Sequence, residues 1–165
     1  MKKKALKYGL FLCVLGLIVG VLLSVVNAIT KPIIEKQEEE KVTTMLKEYN
    51  ENLTWSGDIK EELNSSDSNI LAIYAGNLNN EKVVYAYKVV GLGYGNGEIN
   101  SMVYIEDGVI KSVSVVSSNG QTKGVGSQVE EASYLNKYNG AKVSSYAGIN
   151  PQSHTNKNAD VISGA

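Results

Sequence analysis

The chain has 165 residues, with 16 basic and 17 acidic side chains and a formal net charge of −1. Nucleic-acid binding needs a basic face or stripe, and so near-neutral a chain offers none. With one cysteine and one histidine, an intrachain disulfide and a cysteine metal cluster are both excluded.

Lys2, Lys3, Lys4 and Lys7 give residues 1–7 a basic character, and residues 8–30 carry no charge at all. About 20 apolar residues at roughly 1.5 Å rise cross a hydrocarbon core about 30 Å thick, so 8–30 is predicted as a transmembrane helix. The lysines before it place the N-terminus in the cytoplasm and the rest of the chain on the outer face of the membrane. A cleaved secretory signal is the rival, with Val26-Asn27-Ala28 as its cleavage site. The apolar core of such a signal runs about 7–15 residues, and this one is longer. Both readings export the remainder. Cys13 follows Leu12 rather than a small residue, which argues against a lipoprotein signal.

Pro32 suits the first turn of a new helix or a kink. Residues 31–50 read as a juxtamembrane helix. Val42, Met45, Leu46 and Tyr49 recur at helical spacing, and Glu35 and Glu38 to Glu40 occupy much of the rest.

Residues 51–165 form the soluble domain. It is rich in glycine, asparagine, serine and tyrosine, a composition for turns and strands. A polar loop over 64–69 leads to predicted strands at Ile70–Tyr74 and Glu81–Val90, joined by a loop over 76–80. In the second strand Val83, Tyr85, Tyr87 and Val89 share one face, and Val84, Ala86, Lys88 and Val90 the other. Glycines stand at 91, 93, 95 and 97. Glu98–Ile105 and Val109–Val116 form a hairpin about the Asp107-Gly108 turn.

After a loop over 117–126, Ser127 and Glu130 have capping-box spacing. A helix is therefore expected from about Ser127, with Val129, Ala132, Ser133 and Leu135 inward and Asn139-Gly140 at its end. Val143–Ile149 is expected as a short strand and 150–158 as a polar loop holding His154. A solvated loop position is the simpler reading of that histidine, since no second histidine or carboxylate pair stands beside it.

The glycine run misses the G-x-G-x-x-G register. Asn96 falls at the third glycine counting from Gly91, and Glu98 does so counting from Gly93. There is no Walker motif, no G-x-S-x-G elbow and no metal-ligand cluster. Redox chemistry on such a chain requires a borrowed cofactor.

Several segments, in order, resemble a known family. Thr30-Lys31-Pro32 and an acidic helix follow the apolar run. Gly93-Tyr94-Gly95 leads into the hairpin. Gln121-Thr122-Lys123-Gly124-Val125-Gly126 stands where the family has Glu-Thr-Pro-Gly-Leu-Gly. Tyr134-Leu135 and Tyr138-Asn139-Gly140 stand for a Phe-Leu-x-x-Phe-x-Gly helix end. Asp160-Val-Ile-Ser163-Gly164-Ala165 matches the start of a flavinylation signature. The set resembles the G component of the Rnf-type ion-translocating electron transport complex. The C component of the sodium-pumping NADH:quinone oxidoreductase and free-standing FMN-binding domains are similar. Two departures stand out: Gln121 replaces a carboxylate and Lys123 a proline.

The resemblance implies an α+β fold, with an N-terminal transmembrane helix and then a small FMN-binding domain of twisted antiparallel sheet and flanking helices. It implies FMN as cofactor, esterified by a flavin transferase to a threonine just beyond Ala165. The domain over 51–165 is accordingly expected to be cut short at its C-terminal end. By the same resemblance, the cofactor-binding residues are Gln121, Thr122, Gly124, Val125, Gly126, Ser163, Gly164 and Ala165. The partners it implies are the lipid bilayer, the other membrane proteins of an electron transport complex and the flavin transferase, with no nucleic acid. The implied function is electron relay within a ferredoxin:NAD oxidoreductase that pumps ions, as one part of the complex rather than a complete enzyme. A free-standing extracellular FMN-binding electron-transfer protein and a flavin-free anchored binding module are the alternatives.

Overall fold

The computed structural model describes residues 2–79, 81–93, 97–118 and 120–146. The first element is one helix, α1 (Lys2–Tyr49), with Pro32 inside it. Of the new helix or kink expected at that proline, a new helix does not start there. Pro32 removes one backbone bond, to the carbonyl of Ala28, but its ring lies on an exposed surface and the good helix formers Glu35 to Lys41 follow it. The i,i+4 pairs Lys31–Glu35 and Lys36–Glu40, each 3.8 Å, add only tenths of a kcal/mol each to the solvated stretch around it. Among the described residues, this is the one helix long and apolar enough to cross a membrane, and its large apolar side chains from Tyr8 to Ile34 are exposed.

By compactness the chain divides into residues 1–40 and 41–165. The second unit holds the end of α1 and a five-stranded antiparallel meander: β1 (Thr54–Trp55), β2 (Ile70–Leu78), β3 (Glu81–Leu92), β4 (Glu98–Glu106) and β5 (Val109–Ser118), in that order across the sheet. An N-terminal apolar helix followed by an antiparallel sheet and short helices is the α+β arrangement expected.

Alternation places most of β3 as the sequence predicts, but Val83 packs against the core of Val84 and Ala86 rather than with Tyr85 and Tyr87. Val84 and Ala86 join Met102, Tyr104 and Val116 in one core, closed by Val42 and Leu46 from the last turns of α1. Tyr85 and Tyr87 turn to the opposite face, against Ile59, Ile73 and Ala75. Burial of a side chain such as Leu46 stabilises by about 1.5–3 kcal/mol, so the helix end is held by its i, i+3, i+4, i+7 stripe.

The hairpin at Asp107-Gly108 is present, with Glu106 paired to Val109 and φ of 52° and 73° at the two turn residues. Positive φ at both is the type I′ geometry that Asp-Gly serves. The loop expected over 76–80 is mostly strand. β2 continues to Leu78, which pairs with Glu81, because Asn79 takes a φ of 51° and lets the chain reverse at once. β1 and the buried Ile59 carry no period of their own in the sequence, and pattern alone does not reveal either.

After β5 the expected helix from Ser127 is replaced by a 3-10 turn (Gly126–Glu130), a single turn α2 (Ala132–Leu135) and another 3-10 turn (Asn136–Tyr138). The capping box does not form: no side chain caps either start. The Glu130 carboxylate instead accepts a bond from the Ser118 hydroxyl, and the Ser127 hydroxyl accepts one from the Gly124 amide. Ala132 and Ser133 are exposed rather than inward, with Val129 and Leu135 half-buried. Gly140, at φ 79°, ends the segment as expected and donates to the Ile110 carbonyl at 2.7 Å. Val143–Tyr146 is a 3-10 turn rather than the start of the strand expected over 143–149, of which residues 147–149 lie outside the described residues; Lys142 bridges to the sheet at Val109. His154 and the 150–158 loop lie outside the described residues.

Candidate functional site

The last pairs of β3 and β4 are Gly91↔Ile99 and Leu92↔Glu98, and Asn100 pairs with Ser117 on β5. The strand ends bring two glycine-bearing connections to one end of the sheet, the link between β3 and β4, whose residues 94–96 lie outside the described residues, and the loop after β5. Their backbones meet. Gly93 N–H donates to the Gly97 carbonyl at 2.7 Å, closing the first turn. The same carbonyl lies 3.5 Å from Nε2 of Gln121, at the long limit of a hydrogen bond. A Cβ on Gly120 would sit 3.3 Å from Cα of Gly97, and one on Gly93 would fall within 2.7 Å of three atoms of the Gln121 carboxamide. The turn and the loop cross where side chains are missing.

From that crossing the loop forms a tight knot. The Thr122 carbonyl accepts from Val125 N–H at 3.2 Å and from Ser127 N–H at 3.1 Å. Gly124, at φ 81°, donates to the Ser127 hydroxyl at 2.9 Å, and its carbonyl accepts from Nε2 of Gln128 at 3.2 Å. The Gly124 amide is thus already engaged within the loop. Its carbon is what faces open space, since a Cβ there would meet nothing within 4 Å. Thr122, Lys123, Gly124 and Val125 form an exposed ledge, with Gly126 buried beneath it.

Behind the crossing, Asn100 is buried at 7% exposure. It donates through Nδ2 to the Ser117 hydroxyl at 3.1 Å, and its Oδ1 has no partner among the described residues. Beyond the ledge, Tyr134 and Tyr138 pack edge to face, 6.0 Å between ring centres, with the Lys137 ammonium 5.5 Å from the Tyr134 ring centre.

Of the residues assigned to the site by resemblance, Gln121, Thr122, Gly124, Val125 and Gly126 come together in this one loop. Ser163, Gly164 and Ala165 lie outside the described residues. Gly97, Gly120 and Asn100 join this corner without having been expected there. For Gly120 a signal exists, because Asn-Gly at 119–120 is a turn pair; a lone asparagine inside an alternating strand gives none.

These residues suit a flat heteroaromatic group carrying phosphate. A bare glycine carbon and an exposed valine allow close apposition of a ring, Lys123 supplies a cation, and Thr122 supplies a hydroxyl. Among the described residues, no group of histidine, cysteine and carboxylates could hold a metal ion.

Comparison with known families gives two matches. Residues 1–48 match the RnfG N-terminal region, and residues 93–165 match the FMN-binding domain. The second match begins at Gly93 and takes in nearly all of the corner just described. No curated protein matches the chain.

Proposed function

The chain is an RnfG-type FMN-binding protein, and from that premise we propose that it is the membrane-anchored flavoprotein of an Rnf-type ferredoxin:NAD oxidoreductase complex that moves ions across the membrane. The observation that carries the reading is the order of parts on one chain. An RnfG N-terminal region containing the apolar helix precedes an FMN-binding domain, in which Nε2 of Gln121 faces the Gly97 carbonyl.

In this reading α1 anchors the chain with its N-terminus in the cytoplasm, and the sheet domain stands on the outer face. FMN, held at the 121–126 loop and esterified by a flavin transferase to a threonine of the protein, supplies one- and two-electron acceptance when bound. The protein's own part is binding and orientation. The internal bonds of residues 122–128 hold the ledge together, and Nε2 of Gln121 faces the Gly97 carbonyl beside it. Anchoring keeps the domain at the membrane surface beside the rest of the complex.

The test is made in membrane vesicles containing the assembled complex. Removal of this chain should abolish ferredoxin-dependent NAD reduction, and adding back the flavin-loaded chain should restore it. Undiminished NAD reduction without the chain would contradict its place in the relay.

A further inference from the structure

We propose that Glu130 is a positioning residue for the flavin loop: its carboxylate, bonded to the Ser118 hydroxyl, is the clasp that holds the ledge to the end of β5. The proposal deepens the flavin reading and rests on it for the identity of the ligand.

The clasp joins the two ends of the loop. Ser118 is the last residue of β5 and pairs with Ile99 on β4. Ser117 beside it is pinned from β4 by the buried Asn100, whose Nδ2 donates to the Ser117 hydroxyl at 3.1 Å. The hydroxyl of Ser118 therefore stands on a well-held strand end. Glu130 is the last residue of the 3-10 turn Gly126–Glu130, 12 residues further along the chain, and its Oε1 accepts from that hydroxyl.

From Glu130 the ledge follows through printed bonds of the same turn. Ser127 donates its N–H to the Thr122 carbonyl at 3.1 Å and accepts the Gly124 amide on its hydroxyl at 2.9 Å. Gln128 donates through Nε2 to the Gly124 carbonyl at 3.2 Å and through its N–H to the Val125 carbonyl at 3.2 Å. The exposed residues 122–125 are thus tied to the turn that Glu130 ends.

Bond strength singles out this contact. At the other end of the loop, Gln121 N–H reaches the Ser118 carbonyl at 3.4 Å and its Nε2 reaches the Gly97 carbonyl at 3.5 Å, both near the long limit. A hydroxyl that donates to a carboxylate makes a charge-assisted bond, about twice as strong as a neutral one. Glu130 is exposed, so its removal should loosen the loop without unfolding the sheet. What acts is the acceptor oxygen: a glutamine at 130 keeps one for Ser118, and an alanine keeps none.

The experiment is a double-substitution cycle in the detergent-solubilised full-length protein, made with its flavin transferase: wild type, Ser118→Ala, Glu130→Ala and the pair together, with Glu130→Gln as the conservative variant. Two quantities are read, amide hydrogen exchange over residues 122–128 and flavin bound per chain. Far-UV circular dichroism confirms that the sheet is intact in each form. Ser118→Ala and Glu130→Ala should each speed exchange of the loop by about fivefold and lower flavin content. The pair should do no more than either alone, and Glu130→Gln should stay near wild type. Additive effects of the two alanines, no effect of either, or a glutamine variant as loose as the alanine one would overturn the proposal. A wild-type protein without flavin would contradict the flavin reading instead, and the exchange cycle would still decide the clasp.

Discussion

The ring of Tyr49, in the last turn of α1, lies flat against the ring of Tyr104 on β4, with centres 4.2 Å apart and planes 2° from parallel. Trp55 meets both rings edge-on. The Tyr104 hydroxyl turns back to the helix and donates to the Met45 carbonyl at 3.0 Å. Burial, then the neighbouring Tyr49 and Glu48, push the Tyr104 hydroxyl pKa well above its ordinary value. A group whose folded pKa is raised contributes stability that is complete below its unfolded pKa and is lost as pH rises above it. For tyrosine that loss starts near pH 10. Tyr49 and Tyr87 shift in the same direction, again first through burial, but both are only half-buried. Urea unfolding between pH 7 and 11 should therefore show stability falling above about pH 10. Tyr104→Phe keeps the stack, costs about 1 kcal/mol at pH 7 for the lost hydrogen bond, and should flatten the alkaline fall. An unchanged alkaline slope in the variant would show that Tyr104 is not its source.

The second expectation concerns the helix end. Leu46 is 5% exposed against Met102, Tyr104 and Val116, whereas Lys47 beside it is exposed. Leu46→Ala should cost about 2–5 kcal/mol by transfer and cavity formation, and Lys47→Ala should stay within about 0.5 kcal/mol. Chemical denaturation of the two variants side by side checks this. Similar small losses in both would mean that the helix end does not close the core.

Much of this architecture is legible in the sequence because it follows from periodicity. Val42, Met45, Leu46 and Tyr49 declare their stripe, most of β3 alternates between two faces, and Asp107-Gly108 admits few geometries. The capping box fails for a tertiary reason. Ser127 and Glu130 have the right spacing, but Gly124 N–H and the Ser118 hydroxyl compete for their side chains, and the Ser118 hydroxyl is brought near only by the fold. The segment 76–80 reads as a loop because its run of turn-forming residues hides the fact that Asn79 supplies the positive φ at which the chain reverses. Of the site, the loop is legible by its order in the chain. Its meeting with the 93–97 turn is not, because no local pattern connects Gly93 to Gln121.

Gly124 offers a direct probe of the ledge. At φ 81° a valine is strained whatever the space around it, so Gly124→Val should deform the ledge and remove most of the bound flavin while leaving the sheet intact. Absorbance near the flavin bands, read against circular dichroism of the same sample, checks both halves. Normal flavin content in a folded Gly124→Val protein would show that the ledge is not the flavin contact.

Topology is tested at Ser66, an exposed position in the connection between β1 and β2. Ser66→Cys should react with a membrane-impermeant thiol reagent on intact cells, while Cys13 in the apolar segment should remain unlabelled. Labelling of position 66 only after lysis would reverse the proposed orientation.

Intact-mass measurement tests the central claim most directly. The full-length protein, produced beside a flavin transferase, should gain the mass of FMN less one water, and replacing the esterified threonine with valine should abolish the gain. A full-length protein that gains no mass, with the transferase shown to be active on another substrate, would contradict the account of this protein as a covalent flavoprotein.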